Sequence, residues 1–395
     1  MRLSDDLGQL TYCTNIHKGE SWAQTLAALR ENVPAIRRDV AGDAPFGIGL
    51  RLSAQAAHDL ADPVSLNELK AFLAEHNAYV FTINGFPYGD FHGVRVKENV
   101  YSPDWADPAR LDYTNQLADL LADLLPEGMT GSISTVPGTF APWAEGGRDE
   151  IAANLVRNAA HLIELRQRTG KHITLALEPE PCCMLETIAE AIAFFTGDLY
   201  ADAAVGQLAD LTGLSRDDAS AALRAHLGLC YDVCHAAIEF EDPRGSIADL
   251  RAAGIPIFKL QLSSALRFAS VDENTAALLA PFAEPTYLHQ VVGKKGENFD
   301  KWLDLGPALA DIESAMGSEW RVHFHVPVFL EDMGAFGTTQ AFLRDILALH
   351  KEAPISEHLE VETYTWDVLP DQYRGQSMST AIARELNWVR QELQS

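Results

Sequence analysis

The sequence predicts a single α/β barrel, (β/α)₈, in which eight parallel strands alternate with helices over residues 1–395. Short apolar runs alternate with helical stretches about eight times along the chain, a pattern typical of parallel strands joined by crossover helices. Several runs in the second half end in polar residues, as strands do at the functional end of such a barrel. The length of 395 residues suits one barrel with an insertion.

Four strands are predicted in the first half of the chain. They lie within LTYCTNIHKGESW (10–22), FGIGLRLS (46–53), AYVFTINGFPYGDFHG (78–93) and TGSISTVPGTFAPW (130–143). Ser21 is predicted to cap the first helix, and Gly170 to end an amphipathic helix over 148–170. The third strand breaks into a loop rich in glycine, proline and aromatic residues, and long irregular loops often serve a site.

Four further strands are predicted in the second half. They lie within HITLALEPEP (172–181), LGLCYDVCH (227–235), IFKLQLSS (257–264) and HLEVETYTW (358–366). A ninth apolar run, RVHFHVPVF (321–329), exceeds the eight strands of a closed barrel. We therefore expect an insertion at 265–330, between strands seven and eight, in which TYLHQVV and RVHFHVPVF pair as a hairpin.

The composition argues against several classes of partner. Acidic residues outnumber basic ones 56 to 30, the formal net charge is -26 and no basic cluster is present, so a nucleic-acid partner is not expected. Five cysteines, an odd number, indicate free thiols of a reducing compartment rather than a disulfide framework. Neither a secretory signal nor an apolar stretch long enough for membrane insertion is readable. We expect a cytoplasmic protein with a small-molecule partner, and whether it forms a homo-oligomer stays open.

Polar residues at the strand ends form the predicted site. The carboxyl ends of the strands of such a barrel face one shared space. A carboxylate buried there without a partner is costly, so it usually binds a metal or pairs with a cation. The alternative is that the two glutamates pair with Lys259, Arg51 or backbone amides. The strand-end residues are Glu178, Asp232, Gln261 and Glu362.

Histidines supply further donors. His235 follows Asp232 by three positions and can converge with it, although a solvated loop histidine is common. His323 and His325 alternate by two, so on a strand both would face one side. At least one of them would ordinarily be structural, and His325 is the candidate metal ligand. His17 and Asn84 lie in connecting loops and are predicted substrate contacts.

The strand-end motifs resemble those of the xylose isomerase-like TIM barrel superfamily, which includes ketose 3-epimerases, inosose dehydratases and zinc apurinic endonucleases. The resemblance rests on Glu178 in LALEPEP, Asp232 and His235 in YDVCH, and Glu362 in LEVETYTW. Over its full length the chain also resembles the metabolite-traffic protein EboE family, through TYCTNIHKGESW, INGFPYGDFHG, LALEPEPCC, YDVCHAAIEFE and HFHVPVF. That narrower family implies a role in metabolite traffic but no defined reaction.

The superfamily resemblance implies a divalent cation, Mn²⁺, Zn²⁺ or Mg²⁺. Its ligands would be Glu178, Asp232, Glu362 and His325. Glu178 and Glu362 would also act as the acid and base in enediolate proton transfer on a sugar, sugar phosphate or cyclitol, while His235 and His323 contact the substrate. Gln261 stands where the superfamily has a metal-binding histidine, and we predict a substrate contact there, with His325 replacing the imidazole. The nuclease branch is disfavoured because it needs more histidines and a basic groove. The competing prediction is a non-catalytic binding or handover protein on the same barrel.

Overall fold

The computed structural model describes residues 1–4 and 6–394. In these residues thirteen strands lie in two sheets. The strands are β1 (Gln9–Tyr12), β2 (Phe46–Arg51), β3 (Ala78–Asn84), β4 (Thr130–Thr135), β5 (His172–Leu177), β6 (Leu227–Asp232), β7 (Ile257–Leu262), β8 (Leu266–Phe268), β9 (Val291–Lys295), β10 (Asn298–Trp302), β11 (Glu319–Val322), β12 (Gly337–Thr338) and β13 (His358–Val361).

Fourteen α-helices alternate with these strands in the described residues. They are α1 (Trp22–Val40), α2 (Ala54–Leu60), α3 (Pro63–Glu75), α4 (Pro108–Leu124), α5 (Arg148–Thr169), α6 (Ile188–Phe194), α7 (Asp202–Thr212), α8 (Arg216–His226), α9 (Val233–Ile238), α10 (Pro243–Ala252), α11 (Thr275–Leu279), α12 (Leu305–Ala310), α13 (Gln340–Glu352) and α14 (Met378–Gln394). Single 3₁₀ turns include Thr14–Ile16, Lys97–Tyr101, Ala141–Trp143, Ala280–Phe282, Tyr364–Asp367 and Asp371–Tyr373, and Phe195–Leu199 is a π-helical turn. A membrane-crossing helix, which must be long and apolar, does not occur within the described parts of the chain.

The larger sheet is a nearly closed parallel barrel, in the order β1-β13-β7-β6-β5-β4-β3-β2, and it confirms the predicted fold class. At the seam between β1 and β2 the backbones make a single parallel bridge, from Cys13 to Gly49. The Thr11 hydroxyl spans this seam, because it donates to the Gly47 carbonyl (2.8 Å) and accepts from the Gly49 amide (2.9 Å). A side chain at Gly49 would collide with the carboxylate of Glu360, which fills the space inside the seam.

The smaller sheet lies between β7 and β13 in the chain. It is antiparallel, in the order β10-β9-β11-β8-β12. TYLHQVV and RVHFHVPVF contribute to β9 and β11, which pair. They do not form a hairpin, because the turn at Gly296 joins β9 to β10 instead. The segment reaches β12, beyond the predicted boundary at residue 330.

The run RVHFHVPVF is a strand only at its start. β11 ends at Val322, and the backbone then leaves the ladder. The His323 amide donates to the Gln290 carbonyl (2.8 Å), and the Val326 amide donates to the Ser264 carbonyl (2.9 Å). These bonds carry the chain from the small sheet across the end of the barrel, so the strand predicted over 321–329 is too long.

The predicted helix ends are confirmed at both places. The Ser21 side chain accepts from the Gln24 amide, and the Gln24 side chain accepts from the Ser21 amide (3.1 Å), which completes a capping box. Gly170 ends α5 with a φ of 75°, a left-handed conformation that favours glycine.

The buried carboxyl group of Glu385 on α14 should make the free energy of unfolding depend on pH. Oε1 of Glu385 accepts from the Thr363 hydroxyl (2.6 Å) and the Val328 amide (3.0 Å). Burial raises the pKa of Glu385 to about 7 despite these two hydrogen bonds. Because the folded-state pKa lies above that of the unfolded chain, the protonated group favours folding at low pH. This contribution is lost as the pH rises from about 4.5 to about 7.

We expect Glu385→Gln to remove this pH dependence, because the amide oxygen can keep both hydrogen bonds and carries no charge. The variant should match the parent near pH 4.5 and exceed it at pH 8 by on the order of 3 kcal/mol in the free energy of unfolding. Urea unfolding across this pH range, with a chelator present, measures the difference. Equal pH profiles for the two proteins would contradict the expectation.

Candidate metal centre

Three carboxylates converge at the carboxyl end of the barrel. Glu178 follows β5, Asp232 ends β6, and Glu362 follows β13. All three side chains are buried, and one oxygen of each lies within 4.8 Å of the others. The structure thus brings together three of the four predicted metal ligands through the ends of separate strands.

Neighbouring groups orient Asp232 and leave one of its oxygens free. Oδ1 accepts from the Ser263 hydroxyl (2.7 Å) and from the His235 amide (3.1 Å), which also caps α9. Oδ2 of Asp232 and Oε2 of Glu178 are buried and have no hydrogen-bond partner among the described residues. A carboxylate that is held through one oxygen and leaves the other free, as Asp232 is, suits a metal ligand.

Two asparagines fix Glu362. Oε1 of Glu362 accepts from Nδ2 of Asn15 (2.6 Å) and Nδ2 of Asn84 (3.0 Å). Oδ1 of Asn84 accepts from the Phe86 amide (3.1 Å), so both ends of the Asn84 side chain are occupied. Asn84 therefore lies at the site, as predicted, but it positions Glu362 instead of offering a free donor to a substrate.

The carboxylates destabilise one another's charged forms. Burial, then the charges of Glu362 and Asp232, hold the pKa of Glu178 well above its ordinary value. Burial and the Asp232 carboxylate raise the pKa of Glu362. Three acids buried together are unfavourable unless they are protonated or share a cation.

The cations that could have paired with these glutamates are engaged elsewhere. Nζ of Lys259 lies 2.5 Å from Oε2 of Glu360, one layer deeper in the barrel, and both side chains are fully buried. Nη1 of Arg51 lies 2.8 Å from Oε2 of Glu20. Lys259 and Arg51 therefore do not form ion pairs with Glu178 or Glu362, and that alternative prediction is wrong.

Gln261 of β7 lies beside the three carboxylates and is fully buried. Its amide is close enough to lower the pKa of Glu362, yet in the part of the chain that the structure describes neither of its polar atoms has a hydrogen-bond partner of normal geometry. An unpartnered amide oxygen can join carboxylates around a hard divalent cation. The position thus fits a weak fourth ligand at least as well as the predicted substrate contact.

Three histidines meet beside the carboxylates. Nε2 of His323 lies 3.2 Å from Nε2 of His235 and 3.2 Å from Nε2 of His325. Each Nδ1 lies against an oxygen acceptor: the Pro179 carbonyl for His235 (2.8 Å), the Gln290 side chain for His323 (2.7 Å) and the Glu362 carbonyl for His325 (3.0 Å). Nδ1–H groups that donate to these acceptors leave the Nε2 lone pairs pointing at one another.

This arrangement fits a bound cation. Two imidazole nitrogens on one tetrahedral zinc ion, each about 2.0–2.1 Å from it, are roughly 3.3 Å apart. Burial, then the neighbouring imidazoles, lower the pKa of His323 well below its ordinary value, and burial lowers that of His325 to about 4. Both rings are therefore neutral near pH 7, the form that binds metals.

His235 connects the histidines to the acids. Its Nε2 lies 3.9 Å from Oδ2 of Asp232, and Asp232, His235 and His325 form a second group of donors within 4.8 Å. Burial opposes its protonation, but the charges of Asp232, Glu180 and Glu362 outweigh burial and raise the pKa of His235. Asp232 thus belongs to both donor groups.

His17 is not part of this cluster. Its ring is buried against Tyr12, with Nε2 3.0 Å from the Tyr12 hydroxyl, and it does not line the cavity above the acids. The predicted substrate contact for His17 is therefore not supported by its position.

Several residues of the site were not predicted from the sequence. Asn15 holds Glu362, and Glu180 accepts from the Tyr101 hydroxyl (2.8 Å) and lies 3.6 Å from Nδ1 of His323. Gln290, in the inserted segment, fixes the tautomer of His323. Glu180 could have been found as the second acid of LEPEP, whereas no local pattern marks Asn15 or Gln290.

A cavity opens onto the site. Its floor includes Glu178, Glu180, Glu362, His235 and His323. A ligand in this cavity would contact both the carboxylates and the histidines.

Comparison with known proteins identifies the fold. No protein-family model matches the chain, and no curated protein matches it. A xylose isomerase-like TIM barrel protein from Mycobacterium smegmatis, solved in complex with magnesium, is 13% identical over 98% of this chain and 96% of its own, with a TM-score of 0.53. The IolI protein with a bound zinc atom (14% identity, 98% of each chain) and the probable 3-DHS dehydratase AsbF of Bacillus anthracis (13% identity, 96% and 97%) both give a TM-score of 0.48. The chain thus has the xylose isomerase-like barrel fold.

Proposed function

We propose that the protein is a metal-dependent isomerase or epimerase that moves a proton next to a carbonyl in a sugar, sugar phosphate or cyclitol. The observation that supports this proposal best is the convergence of three buried carboxylates, Glu178, Asp232 and Glu362, which no lysine or arginine of the described residues pairs with. These three residues would hold the cation, and Gln261 or His325 would complete the set.

The residues of the site can perform the proton transfer. A bound divalent cation would polarise a substrate carbonyl and lower the cost of the enediolate. The oxygen of Glu178 that does not hold the cation can accept the proton from the adjacent carbon. Glu362 comes from β13, which β6 and β7 separate from β5, so it reaches the substrate from another direction and can return the proton.

The histidines would orient the substrate. A protonated His235 can donate a hydrogen bond to a substrate hydroxyl, consistent with its raised pKa. The neutral rings of His323 and His325 can accept hydrogen bonds or, with Asp232, bind metal. These roles keep His235 and His323 as proposed substrate contacts and His325 as the proposed imidazole ligand.

A second candidate is a non-catalytic protein that binds or hands over a metabolite. Gln261 favours it, because an amide oxygen is a weaker ligand than the imidazole that the superfamily resemblance implies at this place. The resemblance to the EboE family points the same way, toward metabolite traffic, and we keep it as a hypothesis. The two candidates differ in whether the bound ligand exchanges protons with water.

Proton exchange in D₂O separates them. Metal-loaded protein is incubated with fructose, tagatose and myo-inosose, and loss of the proton next to the carbonyl is followed by NMR. We expect exchange with at least one ketone, slowed in Glu362→Gln by on the order of 100-fold or more. Glu239→Gln, which changes a carboxylate paired with Lys301 outside the site, is the matched control and should exchange normally. Ligand binding by metal-loaded protein without exchange would favour the binding protein.

A further inference from the structure

The three acids of the metal centre are almost inaccessible from outside the protein. Asp232, Glu178 and Glu362 have 2%, 3% and 4% of their surface exposed. The cavity that reaches them is covered by the loop that follows β3 and by the inserted segment around Tyr287 and Leu288. A ligand that binds to the acids needs more of their surface than this, so part of the cover has to move to admit it.

The first half of the loop after β3 is fixed to the barrel. The Gly89 carbonyl accepts from Nη2 of Arg51 (2.6 Å), and the Phe91 amide donates to Oε1 of Glu20 (2.8 Å). These bonds attach the loop to β2 and to the loop before α1. This half of the cover is therefore held in place.

The far end of the loop is fixed by Tyr101. Its hydroxyl donates to Glu180 (2.8 Å), and its ring stacks on Phe140 with the ring centroids 5.0 Å apart. Residues 93–100, between the two fixed ends, are called the strap. The strap begins at Gly93, which has a φ of 74° and where a Cβ atom would meet no neighbouring atom, so this position can act as a hinge.

Few contacts hold the strap itself. In the described chain, the hydrogen bonds that its backbone makes outside the strap go to one acceptor, the Thr286 carbonyl, to which the amides of Val96 and Lys97 donate (2.8 Å each). Val96 packs with Phe91 and Tyr287 in a small apolar cluster separate from the main core. Segments with so few buried contacts open locally at a low cost in free energy.

The Lys97 side chain provides the strongest of these contacts. Its Nζ donates to the Glu284 carbonyl (3.1 Å), the Tyr287 carbonyl (2.5 Å) and Oδ2 of Asp304 (2.7 Å), all in the inserted segment. An ammonium group has three N–H donors, so all of them are used. Lys97 also has a φ of 42°, a left-handed conformation that a non-glycine residue keeps only where its surroundings hold it.

We propose that the strap is a gate over the metal centre and that Lys97 is the latch that holds it to the inserted segment. When the ammonium group leaves its three acceptors, the strap rotates away about Gly93 and uncovers the acids. When the ammonium group returns, the centre is covered again, as the structure shows it. The gate rests on the contacts of the strap, whereas the ion and ligand that pass it rest on the proposed function.

Hydrogen exchange of the metal-free protein tests the latch. In Lys97→Met, which keeps the aliphatic stem, peptides that cover residues 93–100 should exchange at least about tenfold faster than in the parent, because three charge-assisted hydrogen bonds are lost. Arg95→Met is the matched control, since Arg95 pairs with Glu98 of the same strap (3.1 Å) and is 61% exposed in its side chain. It should exchange like the parent. Unchanged exchange of the strap in Lys97→Met would overturn the proposal.

A peptide from β4 reports on the fold as a whole. Its exchange should be the same in the parent and in Lys97→Met. Faster exchange in β4 as well would mean that Lys97 stabilises the entire fold, and would overturn the latch. Asp304→Asn is a second variant in case the first folds poorly. It removes the charge that faces Lys97, and Oδ1 of the new side chain can still accept from the amides of His289 and Leu305. The strap should exchange faster in this variant too, by a smaller factor.

Removal of zinc tests the gate. Zinc-loaded protein is mixed with 1,10-phenanthroline, a planar chelator that has to approach the ion, and the loss of zinc is followed in time. We expect removal at least about tenfold faster in Lys97→Met than in the parent or in Arg95→Met. The equilibrium affinity for zinc should stay within about threefold of the parent, because a gate that does not favour one state for the ion leaves binding unchanged. Equal removal rates, or an affinity that falls as much as removal speeds up, would overturn the gate.

The two experiments separate this proposal from the proposed function. Faster exchange of the strap in Lys97→Met, in a protein that binds no zinc, would support the latch and count against the metal centre. Zinc bound by the three acids, with strap exchange and zinc removal unchanged in Lys97→Met, would support the metal centre and overturn the gate.

Discussion

Asp232→Asn is expected to weaken divalent metal binding by at least about 100-fold, since even changes to groups behind a metal ligand cost roughly 10–100-fold. Asp232 belongs both to the group of three acids and to the group with His235 and His325, and its Oδ2 accepts no hydrogen bond from the described residues. The asparagine oxygen can keep the hydrogen bonds from Ser263 and the His235 amide. Calorimetric titration with Zn²⁺ and Mn²⁺ measures the loss.

The metal-free form of the same variant should be more stable than the parent, because one of three mutually repelling buried acids is neutralised. Thermal unfolding with a chelator should show a higher Tm for Asp232→Asn. With metal in excess, the order should reverse, since bound metal stabilises the parent alone. Glu239→Gln is again the control and should follow the parent in both conditions. If Asp232→Asn binds metal as tightly as the parent, Asp232 is not a metal ligand and the proposed centre is wrong.

Lys259→Met is expected to cost about 3–5 kcal/mol of the free energy of unfolding, because it leaves Glu360 buried and unpaired inside the barrel. That is a large share of the stability of a typical domain. Urea unfolding with a chelator in every sample measures the loss without interference from the metal site. The exposed pair of Lys70 with Asp123 supplies the control, since Lys70→Met should cost less than about 1 kcal/mol.

The double variant Lys259→Met, Glu360→Met should recover most of that loss. A buried ion pair replaced by apolar residues of similar volume is often neutral or stabilising, whereas a single buried charge is not. A double variant as unstable as the single one would show that Lys259 contributes through packing rather than through its charge.

The barrel could be predicted from sequence because its signals are local. Apolar runs alternate with helical stretches, and Ser21 and Gly170 mark helix ends through backbone chemistry that nearby residues determine. The inserted sheet could not be predicted in the same way. Its strands are short, β8 having three residues and β12 two, and their pairing depends on contacts distant in sequence.

The residues of the site that lie at strand ends could be predicted from the sequence. Glu178, Asp232 and Glu362 follow from the rule that parallel strands end at one face. His323 and His325 were predicted to face one side of a strand, but the backbone leaves the strand at Val322. Their rings are held instead by hydrogen bonds to Gln290 and to the Glu362 carbonyl, which are distant in sequence.

Side chains whose partners are distant in sequence could not be assigned from local sequence patterns. Asn15 reaches a glutamate 347 positions away. His17 lies in the same loop, but its ring turns to Tyr12. Nothing in the order of residues 12–17 distinguishes these two outcomes.

An anomalous difference map from crystals grown with Zn²⁺ or Mn²⁺, recorded at the absorption edge of the metal, is the most direct measurement. We predict a peak about 2.0–2.2 Å from oxygens of Glu178, Asp232 and Glu362. Crystals of the Glu178→Gln, Asp232→Asn double variant should lack that peak. A peak elsewhere only, or none with the ion in excess, would contradict a metal centre formed by these three strand ends.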